Sequence, residues 1–230
     1  MNYQESISRL EEASVFGIKP GLERMQKILA VLGNPEKACK MIHITGTNGK
    51  GSVAAMITSV LENTNLKVGR FTSPHLIDYT ERIYLGGKDI SREDFAKAAT
   101  VVFKAHDELV AAGEEALTEF ELLTAIAFWY FRENKADYAV MEVGMGGRFD
   151  ATNVVMPVVS VITNVAMDHM QYLGNTLPEI AREKAGIIKT GVPVVFDANE
   201  SEAAVVIADR ARELHSPCTV LEKKMYRMLE

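Results

Sequence analysis

The stretch Lys40 to Leu61, KMIHITGTNGKGSVAAMITSVL, restricts the fold more than any other part of the 230-residue chain. Met41, Ile42 and Ile44 read as a short strand. Gly46, Gly49 and Gly51 follow, enclosing Asn48 and Lys50. After Ser52, apolar residues at Val53, Met56, Ile57, Val60 and Leu61 mark one face of a helix. A strand that enters a helix through glycines gathers unpaired backbone N–H groups and the positive helix end at one point. A phosphate is favoured there, and Lys50 adds a mobile cation. Asn48-Gly49 is also a strong hairpin signal, but the helical period after Ser52 argues against a second strand. The spacing is a variant of the strict P-loop, which has four residues before its Gly-Lys pair and Ser or Thr directly after the lysine. Only Thr47 and Asn48 separate Gly46 from Gly49, and Gly51 comes before Ser52.

The rest of the chain alternates helix and strand. A helix is expected through Leu10, then a turn over residues 16–21 and a second helix carrying Leu22, Met25, Ile28, Leu29 and Leu32 that stops at Gly33-Asn34-Pro35. Residues 67–72 read as a strand leading into Ser73-Pro74-His75, and residues 81–90 as a small hairpin through Gly86-Gly87. Ser91 with Asp94, Thr118 with Glu121 and Thr176 with Glu179 read as capping boxes, the last opening a helix to Lys189. Strands are expected at 138–143, 158–163, 192–196 and 219–221, and a helix at 202–215. About six short apolar strands separated by helices imply an α/β fold with a mostly parallel sheet covered on both faces. Ligands of such sheets bind beyond the carboxyl ends of the strands.

A formal net charge of -6 disfavours a duplex nucleic-acid partner, so an anion site must rest on local cations, for which Lys50, Arg82, Arg148 and Lys184 stand out. Cys39 and Cys218 are too few for a disulfide scaffold. No apolar run reaches membrane length and the start MNYQESISRLEEA is too polar for a secretory signal, so a cytoplasmic protein without a membrane partner is expected.

Glu142 is the most informative residue at a strand end. Flanked by Val140, Met141 and Val143, its carboxylate either takes a bound cation, ends in water, or meets an arginine such as Arg148. His169, after the fourth strand, reads as a structural histidine or a metal ligand. Lys184, late in its helix, would ordinarily be solvated and face the negative helix end.

The motifs TGTNGKGS, TSPHL, MEVGMGGRFDATN, TNVAMDHM and EKAGIIK, with GIKPGLERM near the start, resemble folylpolyglutamate synthase of the Mur ligase superfamily from about Gly17 to Gly191. The resemblance implies a P-loop-containing, Mur-ligase-like ATPase domain that uses ATP and Mg²⁺ to add L-glutamate to the γ-carboxylate of a reduced folate, or dihydropteroate to glutamate. It implies that Thr47, Asn48, Gly49, Lys50, Gly51 and Ser52 hold the nucleotide phosphates, and that Ser73, Glu142 and His169 ligand magnesium. Lys50 and Lys184 are then catalytic, Lys184 as a CO₂-carbamylated lysine. Arg82 would orient the folate or its carboxylates, a surface salt bridge being the alternative. Phe120 and Thr118 lie in a segment similar to one near the family's pterin site, or in a helix core. The family continues into a second α/β domain bearing the glutamate pocket. Residues 1–230 are therefore expected to be a truncated central ATP-binding domain, and the full-length protein a monomer. A peptidoglycan-precursor ligase and a nucleotide-binding module without ligase activity are the competing readings.

Overall fold

The computed structural model describes residues 1–17, 19–197 and 201–221, so Ile18 of the expected turn and the chain end from residue 222 lie outside the described residues. The strands β1 (Lys40–Thr45), β2 (Val68–Phe71), β3 (Ile83–Leu85), β4 (Lys88–Asp89), β5 (Tyr138–Glu142), β6 (Val159–Ile162), β7 (Val194–Asp197) and β8 (Cys218–Leu221) form one sheet in the order β4-β3-β2-β5-β1-β6-β7-β8. From β2 to β8 the neighbours are parallel, and β3 with β4 adds an antiparallel hairpin at one edge. This is the expected mostly parallel α/β sheet. The chain leaves β1 toward β2 on one side and returns to place β6 on the other, so a crevice opens beyond the carboxyl end of β1.

Side chains alternate across β1 with the period of a strand. Met41 joins a core built with α1 (Tyr3–Ser14), α2 (Glu23–Val31), α4 (Arg92–Ala111) and α5 (Glu119–Glu133), whose fully buried members include Phe95 and Phe128. Ile42 and Ile44 turn to the opposite face, under α3 (Lys50–Glu62), with Val68 and Val140. A third cluster, with Leu173, Ile180, Ile207 and Phe196, joins α6 (Met170–Leu173), α7 (Leu177–Lys184) and α8 (Ser201–Glu213) to β7.

Three local expectations need correction. The apolar face of α3 is rotated: Ala54 and Thr58 are its fully buried residues, Val53, Ile57 and Leu61 pack beside them, and Met56 and Val60 are 62% and 67% exposed. Small residues let α3 lie close on the sheet, and Thr58 returns its hydroxyl to the Ala54 carbonyl at 2.8 Å. The helix expected to reach Lys189 ends at Lys184, followed by a tight turn over Ala185–Ile187. The carbonyls there are claimed from outside, Glu183's by the Arg148 N–H at 2.9 Å and Gly186's by Asn153 at 3.1 Å. Ser91 caps α4 by accepting from the Asp94 N–H, but the reciprocal half of the box is absent among the described residues. The boxes at Thr118 and Thr176 are complete.

Candidate functional site

Beyond β1 the glycine loop is held from the neighbouring strand. Gly46 sits at φ +153, where a Cβ would fall 1.8 Å from Thr163 Oγ1, so no larger residue fits. The Thr163 hydroxyl donates to the Asn48 carbonyl at 2.7 Å and Asn164 Oδ1 accepts the Asn48 N–H at 2.9 Å. Gly49, at φ +79, turns the chain into α3 without a side-chain cap. The first N–H groups of α3, at Lys50, Gly51 and Ser52, therefore have no partner inside the helix and face the crevice end. Lys50 Nζ folds back onto the carbonyls of Gly46 at 3.1 Å and Thr47 at 3.3 Å.

Two strand ends close on this loop. Glu142, at the end of β5, is 4% exposed and accepts the Ser73 N–H at 3.1 Å. Burial pushes its carboxyl above the usual range, against the pull of that N–H and of the Lys50 charge. It neither ends in water nor meets Arg148, whose guanidinium lies 3.8 Å from Glu183. A cleft of about 360 Å³ lies between Gly49, Gly51, Ser52, Ser73 and Glu142.

Lys184 is not the solvated lysine of a helix end. It is 2% exposed, and burial together with the nearby Lys50 charge lowers its ammonium to about 8. His169 stands apart from Glu142: it is exposed, at φ +45, with Nε2 3.6 Å from Asp168, and lines the adjoining cavity rather than the cleft. Among the described residues no three His, Cys, Asp or Glu side chains converge as a metal cluster.

The adjoining cavity, about 430 Å³, is lined by Pro74, Arg82, Phe120, Met145, Asp150 and Tyr172, among others. Arg82 forms no salt bridge among the described residues, so the surface-pair alternative fails. Its Nε donates to His75 Nδ1 at 2.8 Å, and the His75 ring rests 4.2 Å from Tyr79, whose hydroxyl donates to Glu119 at 2.9 Å. Phe120 serves both core and cavity, packing on Phe71 at 5.8 Å, while Thr118 caps α5.

Asp150 was not singled out by sequence. It is 8% exposed and accepts from the N–H groups of Met145 and Thr152, each at 3.0 Å, and from the Thr152 hydroxyl at 2.5 Å. Its carboxyl is raised by burial and lowered by these bonds, and no cation bonds it among the described residues. Because the Thr152 proton goes to Asp150, its oxygen accepts from His43 Nε2 at 2.8 Å. His43 is fully buried, its Nδ1 has no partner among the described residues, and burial with the Lys189 charge lowers it to about 3. The sequence signal for Asp150 was its place two residues before Thr152, an Asx turn that fixes a carboxylate.

Uncapped amides, a lysine and a buried carboxylate beyond a central parallel strand define a parallel α/β domain whose glycine loop is built to receive an anion. The Mur ligase middle domain family matches residues 44–216, and the chain belongs to that family. It is 45% identical over 231 residues to a Bacillus subtilis protein named dihydrofolate synthase/folylpolyglutamate synthase, covering 96% of this chain and 54% of that one. Among solved structures, folylpolyglutamate synthase from Thermotoga maritima superposes with a TM-score of 0.88 at 43% identity, over 96% of this chain and 50% of that one. A structure titled FPGS-AMPPCP-folate complex superposes with a TM-score of 0.90 at 40% identity, over 97% and 55%. The chain thus spans about half the length of the curated relatives it matches. No helix among the described residues is long and apolar enough to cross a membrane.

Proposed function

We propose that residues 1–230 are the central ATP-binding domain of a ligase that joins L-glutamate to the γ-carboxylate of a reduced folate. One observation carries this reading: Ser73 and Pro74 line both the phosphate cleft and the larger cavity, so one turn separates an anion on the glycine loop from an organic acid beside it. The relative crystallised with AMPPCP and folate supports the same pair of ligands. The bifunctional name of the Bacillus relative favours dihydropteroate as a second substrate.

The residues present fit a triphosphate and a magnesium ion. The α3 amides are uncapped, Glu142 is buried with no bonded cation, and among the described residues the Ser73 hydroxyl bonds to no protein group, leaving oxygen donors of the kind Mg²⁺ takes. Thr47, Asn48, Gly49, Gly51 and Ser52 shape the cradle, and Lys50 leaves the loop carbonyls to neutralise the transferring phosphoryl group. Ser73 and Glu142 would hold the metal, which when bound would withdraw charge from the phosphate oxygens; His169, which lines the adjoining cavity, is not placed with them. Arg82 faces the folate carboxylate, and Asp150 accepts from ligand N–H groups beside Phe120 and Met145. The folate carboxylate attacks the terminal phosphorus of ATP, the bond to the bridging oxygen breaks and ADP leaves to give an acyl phosphate; the glutamate amine then attacks the carbonyl, loses a proton and displaces inorganic phosphate. Lys184, its ammonium weakened by burial, adds its neutral amine to CO₂, losing one proton to become a carbamate beside the cleft. A glutamate pocket is not assigned to these residues.

Equilibrium titration of the chain with ATP and Mg²⁺, then with tetrahydrofolate, dihydropteroate or a UDP-linked sugar peptide, tests the reading. Saturable binding of ATP and of a pterin ligand is expected, with Arg82→Ala weakening the pterin ligand alone. Binding of the sugar peptide in preference to both pterins, or of no nucleotide, would overturn it.

A further inference from the structure

Arg70 is out of place for a strand covered on both faces, where Val and Ile are the usual occupants. Its direction follows from its neighbours. Gly69 lies against the Phe131 ring and Phe71 is buried in the core with α5, so Val68 and Arg70 turn to the α3 side. Arg70 is in register with Val140, and Phe71 with Met141, which puts the long side chain one row below Glu142 on the same face. From there it reaches the cleft and lines it with Gly49, Gly51, Ser52, Ser73 and Glu142.

The guanidinium is aimed but not bonded. Its Cζ stacks 4.4 Å from the centre of the Tyr84 ring, its register partner on β3. Tyr84 is fixed in turn, donating its hydroxyl to Glu62 of α3 at 2.9 Å, while Glu62 also takes the Gly87 N–H at 3.1 Å. Stacking occupies the face of the guanidinium and leaves its N–H edge available. Among the described residues that edge has no hydrogen-bond acceptor, and no carboxylate lies within ion-pair distance. Glu142 and Asp89 feel the charge through space only. Five donors in a half-buried cleft, beside uncapped helix amides, call for an oxygen-rich anion.

We propose that Arg70 is a second cation of the phosphate cleft, opposite Lys50, and donates its free edge to an oxygen of an oligophosphate seated on the glycine loop. This rests on the glycine loop being a phosphate site. The two cations differ in kind: Lys50 is a mobile point charge held by loop carbonyls, whereas Arg70 is a planar fork pre-set by Tyr84.

The test is titration of the chain with ATP and with inorganic tripolyphosphate at fixed Mg²⁺, using wild type, Arg70→Leu, Arg70→Gln, Arg70→Lys and Lys50→Ala. Arg70→Leu is expected to weaken both anions by about tenfold or more, the size of a charge-assisted hydrogen bond, with unchanged melting of the unliganded protein. Arg70→Gln should lose nearly as much and Arg70→Lys less, because charge without the fork keeps only part of the contact. Should Arg70→Leu fail to fold, Arg70→Gln keeps the stem and decides. Wild-type affinity for both anions in the Arg70 variants, with a loss in Lys50→Ala, overturns this inference alone. Unchanged affinity in Lys50→Ala overturns the phosphate-site reading beneath it.

Discussion

Replacing Lys184 with methionine should make the protein more stable and remove its function. The side chain is 2% exposed and its ammonium is lowered from 10.5 to about 8, chiefly by loss of water around the charge. At 1.36 kcal/mol per unit, holding the proton in the folded state costs on the order of 3 kcal/mol. Below the folded value Lys184 is protonated in both states, and the whole cost is present. Between about 8 and 10.5 the unfolded chain keeps a proton that the folded chain has released, so wild-type stability rises with pH relative to the variant. Methionine fills a similar space without charge. Urea denaturation in CO₂-free buffer should therefore show Lys184→Met more stable by up to about 3 kcal/mol near neutral pH, the gain shrinking as pH approaches 10. A variant less stable than wild type, or a gain that does not change with pH, would refute the buried, charged lysine.

Further outcomes follow from the same groups. Glu142→Gln removes the carboxylate charge from the cleft, and the Mg²⁺ concentration needed for half-maximal ATP binding should rise; an unchanged titration would remove Glu142 from the metal site. Thr152→Val deletes the hydroxyl that links His43 to Asp150 and should weaken the pterin ligand while leaving ATP affinity unchanged, with Thr152→Ser restoring it. His43 is lowered to about 3 by burial, so as pH falls through 6.5 the unfolded chain takes a proton that the folded chain refuses, and stability drops by several kcal/mol. His43→Gln, which keeps a donor for Thr152 but does not titrate, should flatten that acid limb in thermal melts. Thr118→Ala breaks a capping box at the wall of the cavity and should cost about 1 kcal/mol by denaturant titration.

The glycine loop was legible because its signal is local: glycines and a change of period from two to about four within one stretch. The parallel sheet was legible for the same reason, six apolar runs being separated by capped helical segments. What escaped depends on partners far along the chain. The inward face of α3 is set by how closely β1, β2 and β5 let it approach, which favours Ala54 and Thr58 over the larger Met56 and Val60. Lys184 looks like an ordinary helix-end lysine until α7 is packed against the turn at Gly147, where a Cβ would fall 2.8 Å from the Glu183 carbonyl oxygen and 2.9 Å from that of Lys184. Arg148 was a reasonable partner for Glu142 by sequence proximity, yet the turn after β5 sends it toward Glu183. Asp150, among the residues of the cavity, and Arg70, in the cleft, owe their place to register and to a loop that no spacing rule describes. His169 takes its expectation from its position after β6, and the structure puts it on the adjoining cavity rather than in Glu142's cleft.

Amide hydrogen exchange of the chain with and without ATP and Mg²⁺ tests the phosphate cradle most directly. The N–H groups of Lys50, Gly51 and Ser52, uncapped without nucleotide, should become protected when it binds. Saturating ATP that leaves these amides exchanging as before, while protecting others, would contradict it.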